Sequence, residues 1–236
     1  MTTTDAEARA RVLAVGAHPD DIEFGCGATL AKWARGGSHV ELLILTDGSK
    51  GTWEPDQDLA ALVATRREEQ RAAAQALGAR EVHFLDAVDG ELEADARRRE
   101  QVCRVIRAVR PDVVFGHDPW KQYRLHPDHR RAGELVIDGI VAARDPHFFP
   151  SAGTPHRPKQ LLLFEPQVID HIEPVSDLDV TAKIQALLCH HSQWLSTMGI
   201  QVGTREEHAQ RAAFEELIRQ EITEAGGEKF KRLTDL

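Results

Sequence analysis

Two short segments, His18-Pro19-Asp20-Asp21 and His126-Pro127-Asp128-His129, concentrate the groups in this chain that could do chemistry. Imidazole and carboxylate are the usual ligands of a catalytic zinc ion, which keeps three protein ligands and leaves a fourth position for water. His18, Asp21 and His129 can supply such a set. The i,i+3 spacing within each segment lets two side chains face one centre if the segment makes a first helical turn, which Pro19 and Pro127 favour. Asp20 is then free to act as a general base beside the metal. His126 can stabilise a developing oxyanion or help protonate a leaving amine, and Asp128 can orient that imidazole and favour its charged form. The plainer reading is a pair of Asx-rich turns that merely end two strands.

Placement argues for the chemical reading. Arg11 to Ala17 reads as a strand, and a Gly-containing segment leads into a helix at Ala28 to Trp33. The alternation repeats: strand Val40 to Leu45, helix Asp58 to Leu77, strand Val82 to Leu85, helix Ala94 to Val109, strand Val113 to Phe115, helix Asp128 to Ala143. A fifth strand, Gln160 to Phe164, precedes helices at Val180 to Leu195 and Arg205 to Thr223. Repeated βα units predict an α/β three-layer sandwich, a mostly parallel sheet with helices on both faces. Ligands of such sheets sit beyond the carboxyl ends of the strands, where strand order reverses. With strand order 3-2-1-4-5, the loops after the first and fourth strands flank that crevice, and the two motifs converge. The Pro-rich run Pro146 to Pro158 reads as a long ordered loop, because the βα pattern resumes at Gln160.

The 236 residues, 42% hydrophobic and 28% charged, suit one globular domain spanning 1–236. A net charge of −9 opposes a nucleic-acid partner and favours a small molecule. No apolar run approaches the ~20 residues of a membrane span. Met1 to Glu7 has no signal-peptide character, so a cytoplasmic location is expected. Cys26, Cys103 and Cys189 are far apart and read as free thiols. Oligomeric state stays open, a homo-oligomer included.

Three further residues are candidates for substrate contact. Arg66 lies on the helical stripe Leu59, Leu62, Arg66, Glu69, Ala73, Ala76, where it either pairs internally with Glu69 or reaches the pocket to bind substrate oxygens. Asp47 opens the polar loop Thr46 to Trp53 after the second strand, either a solvated turn or a hydroxyl-binding rim. His190, late in the chain, is either packed or at the site. The stretch His117, Asp118, Trp120, Tyr123 and Arg124 reads as a rim or lid.

Ala17-His18-Pro19-Asp20-Asp21, Glu23-Phe24-Gly25-Cys26-Gly27-Ala28-Thr29-Leu30, Leu45-Thr46-Asp47-Gly48 and His126-Pro127-Asp128-His129-Arg130 resemble the LmbE/PIG-L family of zinc-dependent N-deacetylases. The helix at Arg66 to Glu69 and the segment His190 to Gln193 support the likeness. The resemblance implies a Rossmann-like enzyme that hydrolyses an N-acyl group, commonly acetyl, from an amino sugar or conjugate. It implies His18, Asp21 and His129 as zinc ligands, with another divalent metal as an alternative. It also implies Asp20 as base, and His126 as the oxyanion-stabilising histidine backed by Asp128. Ile22 stands where many members carry Glu, and Glu23 follows one position later, which leaves the role of Glu23 open. The competing expectation is a non-catalytic sugar- or nucleotide-binding module, although the first loop lacks the Gly-x-Gly-x-x-Gly phosphate fingerprint.

Overall fold

The computed structural model describes residues 10–236, so the stretch Met1 to Glu7 lies outside the described residues. The chain runs β1 (Arg11–Gly16), α1 (Asp21–Arg35), β2 (His39–Thr46), α2 (Leu59–Leu77), β3 (Glu81–Ala87), α3 (Ala96–Val109), β4 (Val113–His117) and α4 (Pro127–Arg144). It continues through β5 (Gln160–Phe164), β6 (His171–Glu173), α5 (Asp177–Leu188), α6 (Glu207–Ala225) and β7 (Glu228–Leu233). The seven strands form one sheet in the order β3-β2-β1-β4-β5-β7-β6. β1 to β5 are parallel, and β7 pairs antiparallel with both β5 and β6.

Strands buried on both faces carry continuous apolar runs, and β1, Arg11-Val12-Leu13-Ala14-Val15-Gly16, is one of them. Leu13, Val15, Leu43 and Val114 pack under Val102 and Ile106 of α3 and Leu135 and Val136 of α4. Val12, Ala14, Leu42 and Phe115 face Ile22 and Leu30 of α1 and Ala73 and Leu77 of α2. A third cluster joins Ile184 and Leu187 of α5 to Phe214, Ile218 and Ile222 of α6. Chain order reverses beside β1, which sits between β2 and β4, and that reversal opens the crevice at their carboxyl ends.

Three departures from the sequence-based expectation have local causes. α1 begins at Asp21 rather than Ala28, with acidic Asp21 and Glu23 in its first turn and Ile22 buried. Its glycines are close-approach positions rather than turn signals, since a Cβ on Gly25 would stand 2.4 Å from the Phe164 ring. The expected helix Val180 to Leu195 ends at Leu188 and resumes as a 3-10 turn, His191–Gln193. β6 and β7 were not expected: one has only three residues, and the other, Glu-Lys-Phe-Lys-Arg-Leu, is mostly charged. β6 is the edge strand, where short strands are typical, whereas β7 lies inside it against β5 and buries only Glu228 and Phe230.

α4 carries the second motif at its amino end and must lie close to the end of β4. Gly133 permits this, because a Cβ there would stand 2.6 Å from the His117 carbonyl oxygen and 2.8 Å from Pro119 Cδ. Alanine at an ordinary helical site stabilises by up to ~1 kcal/mol over glycine. Gly133→Ala is expected to do the reverse, lowering stability by ~1–3 kcal/mol through overpacking against backbone. Urea unfolding reads this as a lower midpoint, and an unchanged or higher one would contradict the close approach.

Candidate active site

The first motif leaves β1 in a tight loop. The His18 amide donates to Asp21 Oδ2 at 2.7 Å. Asp20 sits in the left-handed region at φ 94°, which costs a non-glycine residue on the order of 1–3 kcal/mol unless its surroundings hold it. They do: the Asp20 amide donates to Gln70 Oε1 at 3.1 Å, and Arg66 Nη2 donates to the Pro19 carbonyl at 2.6 Å. Arg66 Nη1 donates to the Gly48 carbonyl at 2.8 Å. One buried guanidinium on α2 therefore ties the loop after β1 to the loop after β2. The second motif starts α4 with Pro127 in its first turn and His126 as N-cap, Nδ1 accepting from the Asp128 amide at 3.3 Å.

The motifs meet around Asp21. Its Oδ1 lies 3.1 Å from His129 Nε2, and its Oδ2 lies 3.3 Å from His18 Nδ1 and 3.2 Å from His117 Nε2. The other face of the His18 ring is held by carboxylates, with Nε2 3.1 Å from both Asp128 Oδ2 and Asp89 Oδ1. Donor atoms of His18, His126 and His129 lie within 4.8 Å of one another, as do those of Asp21, His117 and His129, and those of His18, Asp89 and Asp128.

Electrostatics separates the two aspartates of the first motif. Burial pushes Asp21 up, but the charges of His129, His117 and His18 outweigh it and hold the carboxyl well below its usual range. Burial pushes Asp20 up to about 6, against the opposing pull of Arg66 and His190. Burial lowers the His18 imidazole, yet Asp21, Asp128 and Asp89 overcome this and raise it well above its usual value. His126, exposed at the mouth, is lowered by partial burial and by the neighbouring charges of His18 and His129.

Several expectations change on contact with this geometry. The Asp128 carboxylate accepts from the Gly90 and Leu92 amides and faces His18, so its side chain orients a first-motif histidine rather than His126. Asp128 still pushes the His126 imidazole upward, as expected, but partial burial and the charges of His18 and His129 outweigh it and the net shift is downward. Arg66 is 3% exposed and both its terminal nitrogens are committed to main-chain carbonyls, so it supports the loops rather than reaching into solvent for substrate oxygens. Its expected partner Glu69 instead accepts from the Ser192 amide and hydroxyl. Asp47 Oδ1 accepts from the Ser49 and Asp89 amides, a turn-forming role. His190 is fully buried, 3.7 Å from Glu23 Oε2, and both its ring nitrogens lack hydrogen-bond partners, so it has no open face for substrate.

Sequence reasoning missed two members. His117 was read as rim, but it is 1% exposed and stacks on His129 at 4.4 Å between ring centroids. Its position was legible, for it ends the apolar run of β4 as His18 follows that of β1. Asp89 had no such signal beyond following β3. Glu165, behind His117 and Arg124, is drawn down to about 2 by the His117 imidazole 3.9 Å away and by Arg124, against the upward effect of burial.

Residues 13–140 match the family described as PIG-L, GlcNAc-PI de-N-acetylase. The chain is 36% identical over 188 residues to a diacetylchitobiose deacetylase of Thermococcus kodakarensis, covering 78% of this chain and 70% of that protein. It is 33% identical over 221 residues to the 1D-myo-inositol 2-acetamido-2-deoxy-alpha-D-glucopyranoside deacetylase 2 of Saccharopolyspora erythraea, covering 78% of this chain and 80% of that one. The solved N,N'-diacetylchitobiose deacetylase of Pyrococcus horikoshii superposes with a TM-score of 0.82 at 28% identity, covering 95% of this chain and 84% of that one.

Arg66 gives the test of how the site is held. A lysine has one ammonium and cannot reproduce the fork that binds the Pro19 and Gly48 carbonyls. Arg66→Lys is expected to cost ~1–3 kcal/mol of stability, the penalty of unpaired buried groups, and to lower kcat more than it raises KM. An unchanged kcat would show that the Asp20 loop does not depend on it.

Proposed function

The chain belongs to the PIG-L family of de-N-acetylases, and on that premise we propose that it is a zinc-dependent hydrolase removing an N-acyl group, acetyl above all, from an amino sugar or sugar conjugate. The observation that carries this reading is the meeting of His18 and His129 on the ionised carboxylate of Asp21, with Asp20 next to it in the chain. The related proteins named above support the substrate class, because they are named as deacetylases of diacetylchitobiose and of a 2-acetamido-2-deoxy-glucopyranoside.

The residues fit a divalent cation. Two imidazoles and a carboxylate are a catalytic zinc set, and Asp20, Asp89 and Asp128 add negative charge around His18. His18, Asp21 and His129 would hold the ion, while His117 and Asp128 orient Asp21 and His18 from behind. Bound there, zinc supplies a Lewis acid for the amide carbonyl and acidifies the attacking water.

The other steps belong to the chain. Asp20, whose carboxyl is shifted toward neutrality by burial, takes the proton from the attacking water and can return it to the leaving amine nitrogen. His126 accepts the Asp128 amide at Nδ1, which leaves Nε2 carrying the proton in the neutral ring. From the mouth of the site, Nε2–H is placed to donate to the carbonyl oxygen as negative charge develops on it. Asp47, half-buried beside the crevice with Oδ1 bound to amides, has Oδ2 to offer a sugar hydroxyl.

Acetate release from a panel of N-acetylated glucosaminides tests the reading. Activity lost on chelation and restored by zinc is expected; no acetate from any member, together with tight nucleotide binding, would overturn it. Asp20→Asn is expected to lower turnover by ~10²–10⁴, and full activity would remove Asp20 as base. The base is competent only when ionised, so kcat/KM should rise with pH through a limb near 6, set by the raised Asp20 carboxyl. A profile flat from pH 5 to 8 would contradict that assignment.

A further inference from the structure

At the amino end of the parallel sheet, away from the crevice, β2 and its edge neighbour β3 carry a second polar cluster. Glu41 lies roughly 17 Å along the strand from Thr46 at the crevice end, at ~3.3 Å per residue. Glu41 and Glu81 are paired in register, and His39 and His83 stand two residues away on the same face. Like charges directly opposite across a strand pair are destabilising unless something answers them.

Glu41 is 6% exposed, with Oε1 2.6 Å from His39 Nε2 and Oε2 2.7 Å from His83 Nε2. Arg11 Nη2 stands 3.6 Å from Oε1, so this side of the carboxylate has two partners. On the other side, one donor atom each from Glu41, Glu81 and His83 lie within 4.8 Å of one another. Donors ~2.1 Å from a tetrahedral ion stand about 3.4 Å apart, so an ion would part Glu41 Oε2 and His83 Nε2 from 2.7 Å and take Glu81 as third ligand, changes within reach of side-chain rotation. Glu81 is exposed and His83 half-buried, so the cluster opens to water.

We propose that Glu41, Glu81 and His83 form a second, auxiliary site for a divalent first-row transition ion such as zinc, which staples β2 to the edge strand β3. One imidazole and two carboxylates favour such an ion over calcium or magnesium, which prefer all-oxygen shells. His39 and Arg11 hold Glu41 from behind, as outer partners hold a ligating carboxylate. Water completes the coordination on the solvent side.

Zinc titration of the chelator-stripped full-length protein, by calorimetry and metal analysis, tests the site. Wild type is expected to bind two equivalents, and His83→Ala and Glu81→Gln one each, with acetate release unchanged in both. Asp21→Asn should keep one equivalent, which the Asp21→Asn/His83→Ala double variant loses. The proposal is overturned if wild type saturates at a single equivalent that Asp21→Asn removes, or if both His83→Ala and Glu81→Gln still bind two. A single equivalent removed by His83→Ala and retained by Asp21→Asn would support this site while overturning the catalytic zinc. The exposed, near-isosteric Glu81→Gln keeps the result readable if His83→Ala fails to fold.

Discussion

A carboxylate side chain only 10% exposed, as Asp21 is, must either give up its charge or find partners that repay its desolvation. Asp21 has imidazoles on both oxygens, His129 on one and His18 and His117 on the other, and it remains ionised. The three histidines come from the ends of β1 and β4 and from the first turn of α4. They can share one carboxylate only if β1 and β4 are neighbours and α4 lies close over the end of β4. The strand order provides the first condition, and Gly133 the second.

The same constraint separates the work of adjacent residues. Asp21 points at the imidazoles and is stabilised as an anion, whereas Asp20, turned away by a left-handed backbone, is buried near a single guanidinium and shifts toward neutrality. Two identical side chains thus acquire two chemistries from their surroundings, as the proposed division into a metal ligand and a proton carrier requires. Arg66 links the two effects, since it holds the Pro19 carbonyl and lies 3.5 Å from Asp20 Oδ2.

Much of this is legible in the amino-acid sequence. The alternation of apolar runs with amphipathic helices led to the parallel β3-β2-β1-β4-β5 core, and the two His-Pro-Asp segments marked its crevice. What sequence could not supply was the identity of tertiary partners. Periodicity placed Arg66 on a buried stripe, yet its partners are carbonyls in two distant loops rather than Glu69, one turn away. Asp128 adjoins His126 in the chain but faces His18 in space, because its oxygens are captured by amides of the loop after β3. Asp89 joins the cluster through that same loop, and no local pattern announces it. The antiparallel end of the sheet escaped for a different reason: β6 at the edge has three residues and β7 beside it is mostly charged, so neither carries the apolar signal of the parallel core.

The proposed metal centre requires His18, Asp21 and His129 to act together as one ligand set, with Asp20 left outside it. A crystal of the zinc-loaded protein, measured at the zinc absorption edge, tests this most directly. The predicted result is an anomalous peak in the crevice within ~2.0–2.2 Å of one donor atom from each of those three residues, with Asp20 not coordinated. A crevice ion held instead by His18, Asp89 and Asp128, or coordinated by Asp20, would contradict it.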